Sequence, residues 1–115
     1  MTRNIRLYIN DIIECIDSIA EFTKGMSYPD FFSDDRTRSA VVRKIEIIGE
    51  ATKSIPASIR ERCPQIPWKE MAQMRDKTAH AYFGVDYEIV WLVIKERLPE
   101  IRPILKALCK EIKDE

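Results

Sequence analysis

The chain has 115 residues, which suits one domain over 1–115, and 45% hydrophobic content is enough for a buried core. Its 19 basic residues balance 19 acidic ones, which argues against a nucleic-acid coat protein but not against an enzyme touching a few phosphates. No apolar run is long enough to span a bilayer, and Met1-Thr2-Arg3-Asn4 lacks a signal-peptide pattern, so a cytoplasmic protein is expected.

Helical periodicity dominates, and strand-like alternation is weak. The first helix is expected from about Arg3 to Lys24, because Ile5, Ile9, Ile12, Ile16, Ile19 and Phe22 recur three or four apart. Tyr8 and Cys15 widen the stripe, and Gly25 offers a stop. A loop follows, with Tyr28-Pro29-Asp30 as turn chemistry. Ser33, Asp34 and Asp35 supply a cap and first-turn acids for a second helix, running to about Ser54 on Val41, Ile45, Ile48 and Ile55. Gly49 inside it is either a close approach of backbones or a tolerated defect costing roughly 1 kcal/mol.

Pro56 starts a short helical piece through about Arg62, and Pro64-Gln65-Ile66-Pro67 breaks it. Pro67 suits the first position of a third helix reaching about Ala81, with Trp68, Met71, Ala72 and Met74 on its apolar side. Gly84 ends that helix and Asp86 caps the last, which carries Val90, Ile94, Leu98, Ile101, Leu105 and Leu108. Pro99 and Pro103 should kink it or divide it near Leu98. The fold class is all-α: an up-down bundle of four main helices plus a short connecting helix, with the last helix kinked near Pro99.

Cys15, Cys63 and Cys109 are far apart, no Cys-x-x-Cys pair occurs, and there is one histidine, so neither a metal site nor a cofactor is expected. The cysteines read as small buried apolar residues. Arg36, Arg38, Arg43 and Lys44 form a possible phosphate-binding patch, although a solvated helix face is the plainer reading. Glu46 and Glu50 share a face but lack a nearby histidine, and Ser18, Ser27 and Ser33 have no catalytic companions.

The sole histidine, His80, lies in Arg75-Asp76-Lys77-Thr78-Ala79-His80-Ala81-Tyr82. A lone histidine is ordinarily a surface or capping residue; here Asp76 precedes it by four positions and could orient the imidazole. Arg75, five positions before, is about 140° away around a helix axis. The pair would cooperate if the arginine wraps around, or if two copies face each other in a homodimer. Histidine exchanges protons near neutrality and arginine binds phosphate oxygens, which suits attack of an RNA 2′-OH on its own phosphate without a metal. A symmetric dimer would supply two copies of His80, one as base and one as acid. Tyr82 could stack on a base or simply pack.

The segment Met74–Tyr82 resembles the Arg-x4-His-x-Tyr signature of HepT-like proteins of the HEPN superfamily. Glu46-Ile47-Ile48-Gly49-Glu50-Ala51, Ile66-Pro67-Trp68 and the stretch from Phe83 to Trp91 resemble further family segments, in the family's order. The resemblance implies a dimeric helical bundle, with Arg75 and His80 as catalytic residues of a metal-independent endoribonuclease toxin whose substrate is RNA. It also implies a nucleotidyltransferase antitoxin of the MNT, or MntA, type that transfers AMP onto Tyr82. The second motif position, often asparagine in the family, is Asp76 here, which would repel phosphate but could orient His80. An alternative of another class is a non-catalytic helical partner or substrate-binding module of a nucleotidyltransferase.

Overall fold

Ile9, Ile12, Ile16 and Ile19 wind one apolar stripe along α1 (Ile5–Phe22), and each is at most 4% exposed. The fold is that of a computed structural model describing residues 4–79 and 86–112, with the backbone alone over 75–79. Among these residues every regular element is helical. The Asn4 side chain caps α1 by accepting the Arg6 N–H at 2.8 Å. At the other end the buried Thr23 hydroxyl donates to the Ile19 carbonyl at 2.8 Å, and Gly25 turns the chain with φ +76°.

The expected loop after Gly25 is in part a helix, α2 (Tyr28–Ser33). Ser27 and Asp30 form a reciprocal capping box and Pro29 sits in its first turn, so local chemistry nucleates what is too short to show periodicity. Its Phe31 is fully buried. Asp34 then caps α3 (Asp35–Lys53), accepting from both the backbone N–H and the hydroxyl of Thr37. Those bonds hold the Asp34 carboxyl below its ordinary range.

The α3 helix is the centre of the bundle: it packs most extensively on α5 (Trp68–Ala79) and α1. Val41, Ile45 and Ile48 are buried there, and the buried Thr52 hydroxyl is satisfied by the Ile48 carbonyl at 2.7 Å. A short helix, α4 (Ala57–Arg60), links α3 to α5 within the expected Pro56–Arg62 span. Pro67 lies just before α5 and its carbonyl takes the Met71 N–H at 3.0 Å. Trp68 is anchored in the core, its indole N–H donating to the carbonyls of Cys63 and Arg60 at 3.0 and 3.1 Å.

The last helical unit begins at α6 (Tyr87–Leu92), where the Asp86 carboxylate accepts from the N–H groups of Glu88 and Ile89. It continues through a π-helical segment, Val93–Arg97, into α7 (Leu98–Glu111), which packs on α1. The division expected near Leu98 therefore takes the form of a widened turn. Pro99 has no N–H to return to the preceding turn, and the Leu98 N–H reaches back to Val93 instead. Val90, Ile94, Leu98, Ile101, Leu105 and Leu108 all face the core despite the interruption.

Candidate functional site

The α5 helix presents Trp68 and Met71 to the core, both buried. Position 75 follows them by seven and four residues, so its Cα continues that same face, and position 76 is a further 100° round. Arg75 and Asp76 thus occupy the last two turns of a helix laid along α3. Their side chains lie outside the described residues, as do His80 and Tyr82 altogether. Chain connectivity puts residue 80 immediately after the end of α5, and residues 80–85 run into the cap of α6 at Asp86.

The described surface where α2 meets α6 is aromatic. Phe31 of α2 meets Trp91 of α6 at 5.1 Å between ring centroids and Tyr87 edge-on at 6.2 Å. Tyr28 touches Trp91 and Phe32, and Phe32 meets Tyr87, so five rings form one connected group. Burial, with help from the carboxylates of Glu88 and Asp86, pushes the Tyr28 phenol above its usual range. Two cations lie on these rings. The Arg38 guanidinium is 5.1 Å from the centre of Tyr87 and 5.6 Å from that of Phe32, and the Lys95 ammonium is 4.6 Å from that of Trp91. Arg38 is held there by hydrogen bonds to the Phe32 carbonyl and to Asp35.

This geometry breaks up the suspected basic patch. Arg36 and Arg43 are seven positions apart and share a face of α3, whereas Arg38 falls on the opposite side, over the rings. Arg43 pairs with Glu46 at 3.4 Å on the surface, so that carboxylate is an ion-pair member. Lys44 is half-buried, with its charge felt at Cys15 of α1. The aromatic group itself was not anticipated from the sequence. Its signal was the Ser27-Tyr28-Pro29-Asp30 capping box, which makes α2 a helix and brings Phe31 and Phe32 against α6.

The cysteines are buried and free, and burial pushes the thiols of Cys15 and Cys63 up, away from the reactive thiolate. Among the described residues no three His, Cys, Asp or Glu side chains gather as metal ligands, and no helix is long and apolar enough to cross a membrane.

Comparison with known proteins adds sequence-wide similarity to this local picture. The family model described as Ribonuclease HepT-like matches residues 12–108. Probable ribonuclease HepT of Thermococcus cleftensis is 46% identical, with the match covering 96% of this chain and 100% of that protein. A Methanocaldococcus jannaschii protein with a provisional RNase name is 49% identical over 98% of this chain and 95% of its own length. A Caldanaerobacter subterraneus protein, similarly named, is 42% identical over 94% and 96% respectively. No solved structure matches.

Proposed function

The chain belongs to the HepT-like ribonuclease family of the HEPN superfamily, and from that membership we propose that it is a metal-independent endoribonuclease, the toxin of a toxin–antitoxin pair. The observation that carries this reading is the match over residues 12–108, which includes Arg75, Asp76, His80 and Tyr82 in the motif order Arg-x4-His-x-Tyr.

The chemistry follows from residue types. A 2′-OH attacking its own phosphate must lose a proton, and the departing 5′-oxygen must gain one. A histidine side chain is suited to either transfer near neutral pH, and His80 is the chain's one histidine. Arg75, permanently charged, stabilises the negative charge that builds on the phosphoryl oxygens in the transition state. One histidine per chain supplies one proton-transfer group, so a homodimer with two motif copies around one cleft provides both base and acid. Asp76, four positions before His80 in sequence, orients its imidazole. The 1–115 span acts as a single HEPN-like domain in the cytoplasm.

Control is proposed to come from a cognate MNT-type nucleotidyltransferase antitoxin that transfers AMP from ATP to the Tyr82 hydroxyl, with pyrophosphate leaving and the hydroxyl proton lost. The added bulk fills the cleft and the added negative charge repels RNA phosphates.

The test is RNA cleavage in EDTA by purified wild type, His80→Ala and Arg75→Ala. The wild type is expected to cleave with the chelator present, and each substitution to lower turnover by at least about 100-fold with circular dichroism unchanged. Cleavage surviving both substitutions would remove the site assignment. Absence of cleavage by the wild type would favour the helical-partner role.

A further inference from the structure

Trp91, nine residues beyond the motif tyrosine in sequence, carries a lysine ammonium over its ring. Trp91 is half-buried. From the core side it rests on Phe31, which is fully buried and fixes the ring from beneath at 5.1 Å. Tyr28 braces it at 6.2 Å. On the solvent side the exposed Lys95 lays its ammonium over the ring at 4.6 Å. Among the described residues that ammonium has no carboxylate partner; the ring is what it contacts.

An exposed cation–π contact is weak, about 0.5–1 kcal/mol, and a nucleobase stacked on an aromatic ring gains more. A base arriving at Trp91 can therefore displace Lys95, and the released ammonium becomes available to the phosphate next to that base. Arg38 stands across the same ring group, and its buried Nε has no hydrogen-bond partner among the described residues. It adds a second positive charge on the far side, over Tyr87 and Phe32. The carboxylates of Glu88 and Asp86 act on the Tyr28 phenol through their charge, so the Tyr28 edge of the ring group is unfavourable for a phosphate.

Location links this shelf to the motif. Trp91 is five residues beyond Asp86, and Tyr82 is four before it. Four residues of chain span at most about 14 Å and the five helical residues to Trp91 add about 8 Å, so the two backbone positions lie within about 22 Å. One single strand can therefore meet both. We infer that Trp91 is a stacking platform for one nucleobase of single-stranded RNA flanking the cleavage site, with Lys95 moving from the ring to an adjacent phosphate. This deepens the ribonuclease reading and rests on it for the identity of the strand.

The test uses wild-type protein and a short single-stranded 2′-O-methyl RNA, whose blocked 2′ position separates binding from cleavage. Adding it should quench tryptophan emission in the wild type and not in Trp91→Phe, because the remaining Trp68 is buried. Trp91→Leu should weaken binding by about five- to 100-fold, with Trp91→Phe retaining most of the affinity. Lys95→Gln, at an exposed position where folding is not at stake, should lower the slope of log affinity against log salt by about 0.7.

The proposal is overturned if the wild type does not bind, if Trp91→Phe is quenched as strongly as wild type, or if affinity is the same in all variants. It is also overturned if Trp91→Leu turns the assembly into monomers while the RNA affinity stays unchanged. That outcome would make the ring a contact for a second copy, together with exposed Ile89 and Leu92. Trp91-dependent binding without cleavage by the wild type would instead leave the shelf standing and remove the ribonuclease reading.

Discussion

Asp17 and Arg102 make the ion pair that ties α7 back to α1, with the guanidinium Nε at 2.6 Å from one carboxylate oxygen and Nη2 at 3.1 Å from the other. The hydrogen bond from Arg102, more than its charge, holds the Asp17 carboxyl below the ordinary range. A carboxyl depressed in the folded state contributes stability above its unfolded value of about 3.9 and loses it as pH falls through the folded value. Asp17→Asn is therefore expected to lower the melting temperature at neutral pH and to converge with wild type in strong acid. Both side chains are substantially exposed, so the difference should be small. Thermal melts of the two proteins across pH 2–7 check this. At this scale the sequence was most legible where a residue had one ordinary role: the three cysteines are buried, and Asp86 caps its helix. Arg38 was less legible. Grouped by sequence with Arg36 and Arg43, it belongs to the aromatic group, because a long side chain is placed by what it can reach rather than by its nearest neighbours in the chain.

Elements declared themselves in proportion to their length. The isoleucine stripes of α1 and α3 repeat over several turns and fix their rotation as well as their existence. A six-residue helix such as α2 has too few turns to repeat anything, and proline within it reads as a turn. Only capping distinguishes the two outcomes. Ser27→Ala removes the side-chain acceptor for the Asp30 N–H and is expected to cost about 1 kcal/mol. Denaturant unfolding should show this as a lower midpoint with unchanged slope. The break around Pro99 was visible in the sequence, since a missing N–H has to be accommodated somewhere. Its form was not, because whether a helix bends, stops or widens is decided by which packing keeps Ile94 and Leu98 inside together.

For the whole molecule, the helical class and the family followed from the order of the segments along the chain, and the family match bears both out. The candidate site was legible only as spacing. Arg75 to His80 is the wrong angular separation for one helix face, and nothing in one chain's sequence states how a second copy would sit. The proposed shared cleft makes a strong prediction about mixtures. Wild type refolded with an excess of His80→Ala should lose more cleavage than dilution alone predicts, since a mixed dimer holds one histidine and lacks the base–acid pair. The active species should elute near twice the 13.5 kDa chain mass. Activity that simply tracks the wild-type content of the mixture, with mixed dimers verified by a tagged subunit, would confine each site to one chain.

The π segment between α6 and α7 is, in mechanical terms, a joint in rotation. A residue added to a helix without adding a turn offsets the angular phase of everything before it by about 100° relative to everything after it. Downstream of the joint, α7 is clamped to α1 by Leu105, Leu108 and the Asp17–Arg102 pair. Upstream, α6 carries Trp91 and receives the chain from the motif. The heading of Trp91 over Phe31 is thus set by where the offset falls along Val93–Arg97. The half of the helix next to the motif can be aimed independently of the half that holds the bundle together.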